Sequence, residues 1–319
     1  MKPIPHQLTQ GPFSRDHARR LGVTDRMLNG RRFVRVLPRV FCHREHVMSP
    51  QDWVEAAVLA LPDHSRLTGI TRIQQLGLDF GPRMPVRFVV EGDLHLAFDE
   101  IFLHRTKRLP PTDDVGVTPA AAYIAYCRRA RVVDAVKVGD WLLHQRHVTV
   151  PEVRDLALAE LWCDGASEAL WALEHLDGEA RSLPESETRA VLTFAGLPAP
   201  RVNRQLALDE DLVLIGDLVY EEWRTVVEYE GAQHQEERGV YVADLDRYAA
   251  LRRHDVGYVQ VTHEKLRHAR TLVAEVYREL LGRGYDGPPP SFRGQWELLF
   301  ARIHDVLASE RPRRRGSGA

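Results

Sequence analysis

The stretch from Ile215 to His234, IGDLVYEEWRTVVEYEGAQH, constrains this chain more than any other. Its β-branched and aromatic residues fall in two short apolar runs. Glu221 and Glu222 interrupt them where a turn belongs, so the pattern predicts a hairpin. Pairing Tyr220 with Trp223 across the turn sets Asp217 opposite Val226. Side chains alternate along a strand, so Asp217, Val226, Glu228 and Glu230 then share one face. Glu228 becomes the diagonal neighbour of Asp217, at about 7–8 Å between backbones. Carboxylates gathered in this way repel, and in a desolvated site they are forced toward protonation. A divalent cation relieves the repulsion, because Mg²⁺ binds through one or two carboxylates plus waters and phosphate oxygens. Spacing alone leaves two readings: a metal-dependent phosphodiesterase centre, or a hairpin with one solvated face.

A chain of 319 residues exceeds one ordinary domain, so two or three are expected. With 44% hydrophobic and 28% charged residues the composition is globular, and the net charge of −2 gives no bulk signal for nucleic acid. Local charge does. From Phe13 to His46 nine arginines face three acids, a local net of +6. A basic small segment of this kind is the electrostatic footprint of a DNA binder. A second basic cluster, RPRRR, lies in the polar tail at 311–315. Cys42, Cys127 and Cys163 lie far apart, without metal spacing, which fits buried thiols in a reducing compartment. MKPIPHQLTQ has no apolar signal core, and no apolar run approaches the roughly eighteen residues of a membrane span. A cytoplasmic protein with no membrane contact is expected.

Residues 1–47 read as a winged helix-turn-helix. Ser14 caps DHARRL, Gly22 ends it, Thr24 caps DRMLNG, and RRFVRVLPRVFCH follows as strand, turn and strand. The second helix carries Thr24, Asp25, Arg26 and Asn29 toward a major groove, and Arg31, Arg32 and Arg35 lie in the wing, suited to phosphates. A small packing domain with an arginine-rich surface is the alternative. Residues 48–178 read as a mixed α+β region without a catalytic constellation. Its helices are expected at PQDWVEAAVLAL, TPAAAYIAYC, VVDAVKVGDWLLHQ and VPEVRDLALAEL, and its strands at VRFVVEG and HLAFDEIFLHR. The pairs His43/His46 and His144/His147 lack a third ligand and read as structural.

Residues 179–284 carry a helix, SLPESETRAVLTFAG. Strands follow at VNRQLAL, LVLIGDLVY and RTVVEYEG, then a loop and a helix, VADLDRYAALRRH. The strand GYVQVTH and the helix EKLRHARTLVAEVYRELL complete the segment. This order predicts a mixed sheet flanked by helices, giving a multi-domain α/β protein. Residues 285–319 read as a GPPP linker, one amphipathic helix, FRGQWELLFARIHDVL, and the basic tail.

The segment from Arg181 to Leu281 resembles the very-short-patch-repair-like nuclease domains of actinobacterial proteins, within the PD-(D/E)xK restriction-endonuclease-like superfamily. The resemblance rests on PES at 184–186 with Arg189, AGLPAP at 195–200, GD at 216–217, VVEYEG at 226–231, His234, and DLDRYAALRRHDVGYVQVT at 244–262. It implies a helix acid at Glu185, a strand Asp at Asp217 and an acid at Glu228, with Glu230 where the superfamily places Lys. Glu185, Asp217 and Glu228 would then hold Mg²⁺ or Mn²⁺, and His234 would move a proton or contact phosphate. The N-terminal segment is similar to the small winged helix of abortive-infection-type antitoxins.

Local readings stand beside these. Glu185 can simply close a capping box on Ser182, Glu187 can substitute as the helix acid, and Arg189 and Arg247 can be helix-surface charges or ion-pair partners. A Glu at position 230 cannot supply the positive charge of the missing Lys, although repair-type relatives use histidines instead. The expectation is a DNA-binding protein with a divalent-metal-dependent endonuclease-like domain of repair or defence type. Double-stranded DNA is the expected partner, and a toxin or a repair or defence protein a further one. The alternative is a non-catalytic regulator or antitoxin-like protein with a degenerate nuclease fold.

Overall fold

Ser14 Oγ accepts the His17 N–H at 3.1 Å and starts α1 (Arg15–Arg20); Thr24 Oγ1 accepts that of Met27 at 3.4 Å and starts α2 (Asp25–Leu28). These caps belong to a computed structural model that describes residues 3–208, 213–230 and 251–310. Its architecture is mixed α/β, with three small sheets. The chain divides into two compact units, Met1–Ala122 and Tyr123–Ala319, where the sequence pattern suggests four segments. No helix among the described residues is long and apolar enough to cross a membrane.

In the first unit β1 (Phe13–Ser14), β2 (Phe33–Leu37) and β3 (Val40–His43) form an antiparallel sheet of order β1-β3-β2. Arg39 turns the hairpin at φ 64°. Leu8, Phe13, Ala18, Val23, Leu28, Phe33 and Phe41 close a core between this sheet and the two helices. Each large side chain among them contributes about 1.5–3 kcal/mol of burial. Leu37 and Val40 join a second core with Val54 and Ala57 of α3 (Pro50–Ala60) and Phe88 of β5 (Val86–Glu91). The α3 start carries a reciprocal Ser49–Asp52 box.

β5 pairs antiparallel with β4 (Arg66–Leu67) and parallel with β6 (Ile101–Thr106), with α4 (Gly69–Gln74) crossing between β4 and β5. The strand expected from His95 begins only at Ile101. Arg72, 4% exposed, donates to Val117 O at 3.1 Å and Asp113 Oδ2 at 2.6 Å, tying α4 to the loop that leads into α5 (Pro119–Cys127).

The second unit places α6 (Val132–His144), α7 (Val150–Ala159), α8 (Ala166–Leu173) and α9 (Leu183–Phe194) before a four-stranded sheet. Its strands are β7 (Arg201–Ala207), β8 (Val213–Tyr220), β9 (Thr225–Tyr229) and β10 (Gly257–Val261), in the order β10-β9-β8-β7. The β7–β8 and β8–β9 pairs are antiparallel, and β10 is parallel to β9. α9 packs on α6 and on strands β8 and β9. The helix expected over 242–254 and the loop before it, with His234 and Arg247, fall wholly or largely outside the described residues, as does the basic tail.

Two expected long helices are each divided. EKLRHARTLVAEVYRELL breaks at His268 into α10 (His263–Arg267) and α11 (Ala269–Gly282). FRGQWELLFARIHDVL breaks into α12 (Gln295–Phe300) and α13 (Ile303–Glu310). The second break has a tertiary cause. Ala301 O accepts the Val132 N–H at 2.9 Å and Ile303 N donates to Ala130 O at 3.1 Å, a β-bridge between Arg131 and Arg302 that requires extended backbone. Trp296, Leu299, Ile303 and Val306 are all buried. Residues 296–306 therefore contribute side chains to the core of this unit.

A buried ion pair locks α6 to α9. Asp140 Oδ2 accepts Arg189 Nη2 at 2.8 Å and its Oδ1 accepts the Asp177 N–H at 2.7 Å; Arg189 Nη2 also donates to His175 O at 2.8 Å. Arg189 is thus an ion-pair partner, but of Asp140 and not of the hairpin acids. Burial pushes the Asp140 carboxyl up to about 6, with the Arg189 guanidinium pulling the other way.

Candidate carboxylate site on the four-stranded sheet

The hairpin forms with a register different from the expected one. Tyr220 pairs with Thr225, Val219 with Val226 and Leu218 with Val227, so continuing the ladder by one step brings Asp217 level with Glu228. The longer turn, residues 221–224, accounts for the shift, and Arg224 takes φ 42° within it. A displacement of two residues leaves the facing of a strand unchanged, where one residue would have reversed it.

Strict alternation nevertheless fails in β8. Leu214 and Val219 lie an odd number of residues apart, yet both enter the core cluster with Leu206, Val226, Leu251 and Val256. A Cβ on Gly216 would stand 2.6 Å from Val226 Cγ1 and 2.9 Å from Val219 Cγ2. The strand is therefore kinked between Gly216 and Val219, and glycine is required where backbone approaches side chain so closely. Gly216→Ala is expected to destabilise the second unit by about 1–3 kcal/mol through overpacking. A chemical unfolding curve superimposable on that of the unaltered protein would refute the kink.

Asp217 sits in that kink. Its Oδ2 accepts the Tyr229 N–H at 2.9 Å, which lays the carboxylate against the Glu228–Tyr229 peptide. The carboxylate stands in for the backbone carbonyl that a regular ladder would supply there. Asp217 and the acids of β9 are placed by different means in the two strands. Asp217 arrives by the kink; Glu228 and Glu230 follow Val226 by alternation along β9.

β10 extends this face. In the parallel register Tyr258 pairs with Val226 and Gln260 with Glu228. Tyr258 Oη donates to Glu230 Oε1 at 3.1 Å, Gln260 Nε2 donates to Glu230 Oε2, and the Glu230 N–H donates to Val261 O at 2.8 Å. Glu230 is a braced acceptor. Lys265 is engaged nearby: its Nζ donates to Gln260 O and Glu275 Oε1, each at 2.8 Å.

Glu185 is tied to β7. Ser182 Oγ accepts the Glu185 N–H at 3.3 Å, half of the expected capping box. The Glu185 carboxylate turns elsewhere: its Oε2 accepts the Arg181 N–H at 3.0 Å and Asn203 Nδ2 at 3.0 Å, and the residue is 7% exposed. Asn203 lies between the pairs Val202↔Leu218 and Arg204↔Gly216, level with Asp217, and takes φ 47°. A non-glycine residue at positive φ costs on the order of 1–3 kcal/mol, and Asn tolerates it better than most. Glu187, the alternative helix acid, is engaged by Lys137.

Hydrogen bonds thus tie Glu185 to Asn203, Asp217 to the Tyr229 amide, and Glu230 to Tyr258 and Gln260. Asn203, Tyr258 and Gln260 escape a reading from sequence. The usable signal is polar residues inside otherwise apolar strands, VNRQL and GYVQV. His234 lies outside the described residues.

As to metal capacity, among the described residues no group of three or more His, Cys, Asp or Glu side chains could hold an ion. Asp217 with Glu228 fits a more modest demand, since Mg²⁺ keeps several waters and needs only one or two carboxylates. All-oxygen donors also match Mg²⁺ or Mn²⁺ in preference to softer ions.

In the first unit Arg26, Asn29, Arg31 and Arg35 are exposed and Arg32 is half-buried. Asp25 is held by Arg19 at 2.5 Å, and Arg39 by Asp16 at 3.1 Å. The second helix is a single turn, shorter than the expected DRMLNG, because Asn29 already leaves the helix. The histidine pairs have structural partners: His46 Nε2 meets Asp52 Oδ2 at 3.1 Å, and His144 Nδ1 meets Gly178 O at 3.2 Å. Compared with known proteins, the chain matches no family model and no curated relative.

Proposed function

We propose that this chain is a DNA-binding phosphodiesterase whose residues 179–284 form a restriction-endonuclease-like, very-short-patch-repair-like domain and whose N-terminal segment is a winged helix-turn-helix. One observation carries the enzymatic part: the Asp217 carboxylate lies 2.9 Å from the Tyr229 amide nitrogen, beside Glu228, with Glu185 connected through Asn203. The order helix acid, kinked-strand Asp, next-strand Glu is the one the resemblance implies. Bound there, Mg²⁺ or Mn²⁺ would activate water and offset charge on a scissile phosphate. Asp217 and Glu228 supply the oxygen donors and Glu185 stands behind them. Tyr258 and Gln260 hold Glu230 in place at the edge of the site. A proton-transfer role for His234 remains part of the proposal. The decisive assay is Mg²⁺- or Mn²⁺-dependent cleavage of duplex, nicked, mismatched and single-stranded DNA. Absence of cleavage on all four, with no metal-induced thermal shift, removes the enzyme reading.

A second reading is favoured by the bracing of Glu230 and by the lack of a three-residue ligand group among the described residues. On it, the protein binds DNA as a regulator or antitoxin-like partner, and its nuclease-like sheet is a scaffold. Both readings share the N-terminal interface. A one-turn α2 offers few side chains to base edges, so pairing of Arg26, Arg31, Arg32 and Arg35 with phosphates should dominate affinity. Arg31→Ala with Arg35→Ala is expected to lower duplex affinity and to reduce the slope of log K against log salt by about 0.9 for each phosphate no longer neutralised. Unchanged affinity and slope in a salt titration would assign this segment to a protein partner.

A further inference from the structure

We infer that the first unit carries a separate binding site, a pocket for a nucleoside monophosphate whose base bears an exocyclic amine. The pocket lies between the start of α3 and the end of α4 and holds about 510 Å³. That volume falls within the roughly 300–1,000 Å³ typical of small-molecule sites. Its lining is rich in amides, and their neighbours fix which way each one points. A carboxylate only accepts hydrogen bonds. Gln51 therefore turns its Nε2 toward Glu55 Oε1, at 3.5 Å, and its Oε1 accepts from Gln75 Nε2 at 3.0 Å. Gln75 is left with its own Oε1. Gln74 spends both Nε2 hydrogens, on Phe80 O at 2.9 Å and Pro82 O at 3.3 Å, and is likewise left with Oε1.

Among the described residues neither of these two oxygens takes a hydrogen bond. Consecutive residues thus bring two carbonyl acceptors to one cavity, and a ligand there has to supply the hydrogens. Arg83 brings a cation to the same lining. Its Nη2 meets Asp79 Oδ1 at 2.5 Å, but the Asp79 side chain is 96% exposed. A pair so open to water holds weakly, which frees the guanidinium to turn to an anion on the ligand. Val54, 6% exposed, adds an apolar wall. Hydrogen donors at one end, an anion at the other and an apolar body between them describe an amino-bearing base with its phosphate. Adenine, cytosine and guanine each carry an exocyclic amine; thymine carries O4 and a methyl group instead.

The test is calorimetric titration of the full chain with the monophosphates of deoxyadenosine, deoxycytidine, deoxyguanosine and thymidine. The three amino-bearing nucleotides are expected to bind about 10-fold or more tighter than thymidine monophosphate, the discrimination typical of hydrogen-bonded base edges. Gln75 and Arg83 are both exposed, so their replacement should leave the thermal midpoint in place. Gln75→Leu is expected to narrow the preference over thymidine monophosphate. Arg83→Ala is expected to weaken deoxyadenosine monophosphate about 10-fold while leaving deoxyadenosine itself unaffected, because only the phosphate needs the charge. No saturable binding, equal affinity for all four nucleotides, or a preference that survives Gln75→Leu in full overturns the proposal. None of these results bears on the carboxylates of the four-stranded sheet, which belong to the other unit.

Discussion

Asp217→Asn is expected to abolish metal-dependent cleavage while leaving the fold in place. The side chain has two jobs on one carboxylate. Its Oδ2 accepts the Tyr229 N–H at 2.9 Å, and on the proposed function the carboxylate as a whole would be a donor for the ion. Asparagine keeps an oxygen for the amide and removes the charge. Loss of a neighbouring outer-shell group typically costs 10–100-fold in metal affinity or activity, so loss of a direct ligand should cost about 10²-fold or more. Asp217→Ala confounds the two jobs, since an amide left without an acceptor costs about 1–3 kcal/mol where it is shielded from water. The test is single-turnover cleavage of labelled duplex, together with thermal melts at rising Mg²⁺. An Asn variant that cleaves at the wild-type rate would sink the assignment; one that melts early without metal would show the role to be structural.

The largest stability effect is expected at Asp140. Its side chain is fully buried and Arg189 is 11% exposed, so Asp140→Ala leaves a cation in the interior with no carboxylate. Breaking one partner of such a pair costs about 3–5 kcal/mol, or roughly 10 °C in Tm for a unit of this size. Replacing both, Asp140→Leu with Arg189→Met, should recover most of the loss, because a well-packed apolar pair is often neutral relative to a buried ion pair. Equal losses in the single and double variants would show that the interaction is not what holds α6 to α9.

The pH dependence has a definite sign. The folded state holds the Asp140 carboxyl at about 6, above its ordinary 3.8, because burial disfavours the charge. The folded protein therefore binds this proton before the unfolded chain does. Its contribution to stability rises as pH falls from 7 through 6 toward 4, and it is a cost above that window. The difference in Tm between the unaltered protein and Asp140→Asn should grow in favour of the former across that fall. A flat difference would place the carboxyl back near its ordinary value.

Local chemistry makes much of this legible from sequence. Ser14, Thr24 and Ser182 cap the helices their positions imply, since capping depends on residues three apart. The hairpin is visible in its β-branched runs, and its two acids in the break in apolarity. Other features depend on approaches that spacing cannot encode. Asn203 acts on Glu185 across 18 residues and Asp140 on Arg189 across 49. The kink at Gly216 arises where β8 meets two valines, and the break at Ala301 where the chain returns to residues 130–132. The register departs from the expected one because the turn uses four residues, with a non-glycine at positive φ that pattern alone does not announce.

The docking of residues 285–310 has a consequence for how the protein is made. The helix that carries Glu185 leaves the ribosome well before Trp296 and Leu299, which close over it and α6. Domains fold as units, largely in the order of their synthesis. During translation this unit therefore waits with an apolar seam open until residues 295–310 emerge. Closure of this core is in this sense timed by a segment well downstream of the strands it completes.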